Sequence, residues 1–268
     1  MEQKRQNTKF LLRVENLRKE FGGIVALEKV SFSVNSNLIK AIIGPNGAGK
    51  TTIFNIVSGI YSPTKGKVLF KEERIDNLSP HLIAKKGISR TFQNLQIFPN
   101  LTVIENVMVG CHPWTKSGFL SCILKTGKNR REEKKIYERA EELLKFVGLA
   151  EKKSLFPSSL TFHQQRLVEI ARALATEPEL ILLDEPAAGL NARETIDMAE
   201  LIYKIKEKGI CVLLVEHDMD LVMDISQEVV VLDSGRVIAE GEPESIQKNE
   251  EVIAIYLGEK EFVKNKKS

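Results

Sequence analysis

Runs of apolar residues divide the chain into three regions of different texture. From residue 11 to 43 the stretches LLRVENL, KVSFSV and LIKAIIG have the apolar and β-branched content of strands, with Phe21, Gly22 and Gly23 turning the chain between the first two. The third run leads straight into a glycine-rich segment. Beyond it, Lys50 to Gly59 predicts a helix, because Ile53, Ile56 and Val57 share one face at helical spacing. The turn residues Ser62 to Gly66 then introduce a further strand, KVLFK.

The middle of the chain reads differently. Val103 to Val109, Arg130 to Val147 and Gln164 to Ala175 have helical periodicity and few β-branched runs, and the second is dense in Lys, Arg and Glu. From Glu179 onward strands and helices alternate again: ELILLDE, a helix from Ala192 to Lys208, ICVLLVE, a helix from Asp218 to Ile225, the strands EVVVLD and RVIAEG, and a short helical tail. Short apolar strands alternating with helices predict a largely parallel sheet covered on both faces. The expected organisation is one domain over 11–258: an α/β core from 11–92 and 177–258, a helical subdomain over 93–176, and basic tails at 1–10 and 259–268.

Composition narrows the class. With 268 residues, 43% hydrophobic and 28% charged, the chain has an ordinary globular composition and enough length for a full core. The charge surplus is only 39 − 36 = 3 and lies mostly in MEQKRQNTK and VKNKKS, so no nucleic-acid partner is expected. Cys111, Cys122 and Cys211 have neither zinc-site spacing nor an even count, which points to a reducing compartment. No apolar stretch approaches the roughly 18 residues of a membrane span, and the N-terminus lacks a signal-peptide core. Any membrane role is therefore expected to come through a partner.

The glycine-rich segment, Gly44-Pro45-Asn46-Gly47-Ala48-Gly49-Lys50-Thr51, satisfies G-x-x-x-x-G-K-[ST] at a strand-to-helix junction. Its glycines let backbone N–H groups approach phosphate oxygens, and the following helix aims its positive end at the same anion. Lys50 is expected to reach the β and γ phosphates of ATP, and Thr51 to supply a hydroxyl to Mg²⁺. The strand ILLD ends in two carboxylates. Asp184 is expected to hold Mg²⁺ through its water shell, and Glu185 to polarise an attacking water. His217 follows a second apolar strand and by itself reads as a surface or capping residue; if that strand lies beside the one ending at Asp184, both open on the same ligand edge and His217 would hydrogen-bond the γ-phosphate. Gln93 lies at the border between core and helical region, and Phe21, beside two glycines, offers an aromatic surface to an adenine ring.

Taken in order, FGG (21–23), GPNGAGKTT (44–52), TFQ (91–93), LTFHQQR (160–166), ILLDEP (181–186), AGLN (188–191) and EHD (216–218) resemble the nucleotide-binding subunit of ATP-binding-cassette transporters. The resemblance covers about residues 11 to 258. It implies a P-loop NTPase core with an antiparallel β subdomain and an inserted helical subdomain. It also implies a head-to-tail dimer sandwiching two ATP molecules, each held by the phosphate loop of one chain and the signature segment of the other. By the same resemblance Phe21 stacks on adenine, Gly44 to Thr52 cradle the phosphates, and Thr51, Gln93 and Asp184 hold the metal. Lys50, Glu185 and His217 carry out hydrolysis, and Thr161, Phe162, His163 and Gln164 face the opposite ATP.

RTFQNLQIFPNLTVIENVMVG, the insert GFLSCILK followed by Arg130-Arg131, EPAAGLNARET and the ending IAIYLGE are similar to the first of the two ATPase subunits of branched-chain amino acid importers. The implied partners are a second ATPase subunit, two integral membrane permeases and, indirectly, an extracytoplasmic solute-binding protein. The implied location is peripheral, on the cytoplasmic face of the inner membrane. With few residues after Gly258, control is expected to reside in the partners. An exporter ATPase for lipid or lipopolysaccharide shares most of these motifs, but the insert at 118–131 favours the amino acid branch. A non-transport ATP-dependent switch would show fused domains, coiled-coil arms or a basic surface, and the sequence has none of these.

One position departs from the family. The glycine expected immediately before the first glutamine of the signature is His163, while Phe162 replaces another usual glycine and Thr161 keeps a hydroxyl. A side chain at His163 is expected either to point away as a bystander or to disturb the backbone and close approach to the opposite phosphate. In the second case only the composite site using this chain's signature is weakened, leaving the site of Lys50, Asp184, Glu185 and His217 competent. The sequence favours that asymmetric reading.

Overall fold

The computed structural model describes residues 10–111 and 127–256. Cys122, the insert GFLSCILK, most of the expected basic tails and the end of IAIYLGE lie outside the described residues. In chain order the first elements are β1 (Leu12–Phe21), β2 (Ile24–Val34), β3 (Ile39–Ile43), α1 (Lys50–Val57), β4 (Lys65–Phe70) and β5 (Glu73–Arg74). There follow α2 (Pro80–Lys86), β6 (Ile88–Arg90), α3 (Val103–Val109), α4 (Gly127–Phe146), α5 (Phe162–Leu174), β7 (Leu180–Asp184) and α6 (Ala192–Glu207). The last are β8 (Cys211–Val215), α7 (Met219–Ile225), β9 (Glu228–Asp233), β10 (Arg236–Gly241) and α8 (Pro243–Gln247). The fold class is mixed α/β, with one antiparallel sheet and, elsewhere, parallel pairing of β3 with β8 and β9 and of β6 with β7, while β10 pairs antiparallel with β9. The chain divides into two compact units, one comprising residues up to Pro80 and from Ile202, the other His81–Leu201.

In the first unit, β2, β1, β4 and β5 form an antiparallel sheet in that order. Alternation sets its faces: Leu12 and Val14 are buried and pair with Val34 and Phe32, while Arg13 and Glu15 between them are only partly covered. A second set of strands runs β10, β9, β3, β8, with β3 parallel to both β9 and β8, and β10 antiparallel at the edge. β3 and β8 are buried at every position, as their continuous IKAII and CVLLV runs require.

The one charged residue within these two runs, Lys40, is fully buried. Its Nζ donates to Ser33 O (2.6 Å) and Glu228 Oε2 (2.8 Å), and also pairs with Glu240. One ammonium therefore ties β3 to β2, β9 and β10, and all three of its donors are used.

In the second unit β6 and β7 pair in parallel, with Ile88 opposite Leu180 and Arg90 opposite Leu182. α3, α4 and α5 pack against one another. Two capping boxes set helix starts: Thr102 with Glu105 for α3, and Thr161 with Gln164 for α5. The second box explains why α5 begins at Phe162, two residues before the helix that periodicity predicts. The Asn106 side chain is buried and holds the preceding loop, donating to Phe98 O, Leu101 O and Thr102 O and accepting from Phe98 N. The short α2 escapes sequence patterning, because Ile83 is its only buried residue.

Replacing Lys40 by Met keeps bulk but leaves Ser33 O and two carboxylates without their donor. The expected cost is about 2 kcal/mol of unfolding free energy, measured by urea denaturation, with no change in secondary structure at zero denaturant.

Candidate functional site

The phosphate-loop segment of the first unit is built by β3 and α1. Gly44, Gly47 and Gly49 all have positive φ, and Gly49, at φ 103°, is the residue that starts α1. A Cβ on Gly49 would lie 2.5 Å from Leu27 Cδ2 and 2.9 Å from Ala26 O, so both conformation and space demand glycine there. No side chain caps α1, and a helix N-terminus of this kind suits an anion. Lys50 is buried and donates from Nζ to Gly44 O (2.6 Å) and Pro45 O (2.9 Å), folding its charge across the loop. Thr51 is exposed and Thr52 is half-buried.

β8 lies directly beside β3 in parallel register, Val215 opposite Ile42. His217, two residues past β8, therefore belongs to the same carboxyl edge as the loop that begins at Gly44. It is exposed, and its backbone N–H donates to Oε2 of the buried Glu216 (3.0 Å). At the β1–β2 turn Phe21 is 40% exposed. Tyr61, with a ring centroid 5.2 Å away at 72°, meets it edge-on, and Lys19 Nζ lies 4.8 Å from its centroid. Neither stood out in sequence: Tyr61 lies about forty residues from Phe21, and Lys19, two residues before it on β1, looks like an ordinary strand lysine.

In the second unit Asp184 closes β7 and is 1% exposed. Arg90 on β6 donates from Nη2 to its Oδ2 at 2.8 Å, while Oδ1 is buried with no hydrogen-bond partner among the described residues. Burial pushes the Asp184 carboxyl upward from the usual range, and the Arg90 guanidinium opposes that shift. Glu185 follows with φ 49°, an uncommon conformation for a residue with a side chain. Gln93 Nε2 donates to Glu185 Oε2 at 3.0 Å, so the glutamine and the second carboxylate, 92 positions apart, are in direct contact.

Gln93 is exposed, but its backbone is fixed. Arg166 of α5 donates to Phe92 O (2.8 Å) and Gln93 O (3.1 Å), and Glu169 Oε1 accepts from Phe92 N (3.3 Å) and Gln96 N (3.4 Å). Arg166 and Glu169 are themselves a buried pair, 3.2 Å apart. Arg172 adds a bond to Gln96 O. Sequence reading assigned no role to Arg90, Arg166 or Glu169; their charges on apolar elements were the available signal.

The signature residues occupy the N-terminus of α5. Thr161 Oγ1 accepts from Gln164 N, and Gln164 Oε1 accepts from Thr161 N, so both side chains belong to the cap. The Thr161 hydroxyl retains its proton for an anion. Phe162 is exposed beside Gly189, with the Arg166 guanidinium 5.4 Å from its ring centroid. His163 has ordinary helical backbone and is absent from the residues with positive φ, so the expected backbone conflict does not arise. Its imidazole turns inward, 12% exposed, with Nδ1 3.9 Å from Glu194 Oε1.

Oxygen donors suit a hard divalent cation. The buried Asp184 Oδ1 without a partner, the Thr51 hydroxyl and the Gln93 amide fit Mg²⁺ in type. Among the described residues no cluster of three or more His, Cys, Asp or Glu side chains forms a protein-only metal cage. Mg²⁺ characteristically takes few protein ligands and completes its shell with water and substrate phosphates. The two thiols among the described residues are not poised as ligands or nucleophiles: burial pushes Cys111 and Cys211 each up to about 11.

A family model described as ABC transporter matches residues 27–188, and one described as Branched-chain amino acid ATP-binding cassette transporter matches residues 236–261. The high-affinity branched-chain amino acid transport ATP-binding protein BraF of Pseudomonas aeruginosa is 44% identical over 250 residues, covering 93% of this chain and 98% of that protein. The crystal structure of the ADP conformation of MJ1267, an ATP-binding cassette of an ABC transporter, superimposes with a TM-score of 0.82 at 36% identity, covering 93% of this chain and 99% of the other. A dimeric post-hydrolysis structure of the ATP-binding cassette MJ0796, bound to ADP and Pi, gives 0.73 at 28% identity, covering 87% and 98%.

Gly49→Ala places a methyl group against Leu27 and Ala26 and forbids the loop's backbone turn. The expected result, by titration with a fluorescent ATP analogue, is at least about ten-fold weaker nucleotide binding, with thermal stability lowered by about 1–3 kcal/mol.

Proposed function

This chain belongs to the ABC transporter ATP-binding family and is an ATPase, and we propose that it powers the uptake of branched-chain amino acids. The observation that carries the proposal is the 44% identity to a branched-chain amino acid transport ATPase over 93% of the chain. No helix among the described residues is long and apolar enough to cross a membrane. We assign two integral membrane permeases, a second ATPase chain and, indirectly, an extracytoplasmic solute-binding protein to the complex. This chain sits peripherally at the cytoplasmic face of the inner membrane, and no nucleic acid takes part.

In this reading ATP is bound by Phe21, whose ring stacks on adenine, and by the backbone of Gly44 to Thr52, with Lys50 contributing positive charge to the phosphates. Thr51, Gln93 and Asp184 are the residues that would hold Mg²⁺, which would supply positive charge against the phosphates when bound. Glu185 accepts a proton from the attacking water, and its bond from Gln93 Nε2 holds the carboxylate in one orientation. His217 donates to the γ-phosphate. Thr161, Phe162, His163 and Gln164 face the ATP of the partner chain, where the N–H groups of α5 meet the γ-phosphate.

The inward turn of His163 towards Glu194 supports the bystander reading over the asymmetric one. His163→Gly is expected to leave ATP-driven dimerisation and the ATPase rate, assayed with the second ATPase present, within about three-fold of the parent, a barrier change below 1 kcal/mol. A larger rise would restore the asymmetric reading.

The transport assignment is tested by co-purifying the chain with its permeases and measuring ATPase activity in liposomes. Leucine-, isoleucine- or valine-loaded binding protein should stimulate hydrolysis several-fold. Stimulation by lipid substrates and not by these amino acids would favour an exporter and overturn the assignment.

A further inference from the structure

Three features surround Asp184. Its Oδ2 is held by Arg90 Nη2 at 2.8 Å, and the two side chains are 1% and 6% exposed. Its Oδ1 is buried with no hydrogen-bond partner among the described residues. Arg90 is in turn fixed by strand register, since it lies opposite Leu182 on the neighbouring β7, and by its guanidinium, 5.0 Å from the Phe92 ring centroid. The pair bridges adjacent strands whose register holds the two backbone positions side by side.

We infer that Arg90 is a positioning residue for the metal-bearing carboxylate: it consumes Oδ2, presents Oδ1, and supplies a fixed positive charge that keeps Asp184 from taking a bare divalent cation. This rests on the assignment of Asp184 to Mg²⁺. A full charge within a few ångströms, in a site nearly closed to water, strongly disfavours a dication arriving alone. A dication arriving with the phosphates of ATP brings compensating negative charge and escapes most of that penalty. Arg90 thereby couples metal occupancy to nucleotide occupancy. Its contact with Phe92, which precedes Gln93, ties the same guanidinium to the loop that touches Glu185.

The test uses the full chain and Mn²⁺ alone, followed by the EPR signal of the free hydrated ion, and repeats the titration with a non-hydrolysable ATP analogue. Arg90→Gln should bind free Mn²⁺ at least about ten-fold more tightly than the parent, and the gain should vanish when Asp184→Asn is added. Arg90→Lys keeps the charge and should retain the parental weakness for free Mn²⁺. A folded Arg90→Gln chain with parental Mn²⁺ affinity, or a gain that survives Asp184→Asn, overturns the inference. If Arg90→Gln does not fold, Arg90→Lys decides: tighter free-ion binding overturns the inference, and parental binding supports it. Analogue-dependent Mn²⁺ binding unchanged by Asp184→Asn alone would instead refute the assignment of Asp184 to the metal. Loss of that binding without any gain in Arg90→Gln would refute only the role of Arg90.

Discussion

The buried pair between Arg166 and Glu169 is the interaction on which the geometry of the second unit depends. Two charges taken out of water are costly unless nearly every polar atom finds a partner. Here the partners are backbone groups of a single loop: Phe92 O, Gln93 O, Phe92 N and Gln96 N. The loop compensates the pair apart from Arg166 Nε, which is buried with no hydrogen-bond partner among the described residues, and the pair immobilises the loop. Gln93 therefore stands on a fixed backbone when its side chain reaches Glu185. The same helix that carries Arg166 begins at the signature residues, so one rigid element joins the segment assigned to the partner's ATP to the carboxylate assigned to hydrolysis.

That arrangement gives a physical sense to the strain at Glu185. A side-chain-bearing residue with positive φ is uncommon, and the surrounding structure must hold it there. β7 fixes the preceding residue, and Gln93 fixes the carboxylate itself. Asp184 and Glu185, adjacent in sequence, end in different environments. One is sealed against Arg90; the other is partly exposed and tethered by a neutral amide. Environment, not residue type, separates the electrostatic role proposed for Asp184 from the proton-accepting role proposed for Glu185.

Much of this was legible in the sequence, and the reason is locality. The phosphate loop, the strand ending in two carboxylates and the strand before His217 are contiguous segments whose apolar runs and glycines dictate their own conformation. β3, α1, β7 and β8 accordingly lie where periodicity puts them. What the sequence concealed are pairings across long separations: Arg90 with Asp184, Arg166 with Phe92, and Phe21 with Tyr61. Each joins residues that look ordinary alone and become meaningful only when strand register or helix packing brings them together. His163 illustrates the converse. The sequence marks it as a departure and suggests a conflict, yet a capped helical start accommodates a side chain at that position and turns it inward.

The central claim is that Glu185, oriented by Gln93, is the residue that takes the proton from water. Single-turnover phosphate release from Glu185→Gln tests it most directly, because glutamine preserves size and the contact with the amide while removing basicity. The account predicts ATP binding at parental affinity with phosphate release reduced by at least about a hundred-fold. Phosphate release at the parental rate would contradict it.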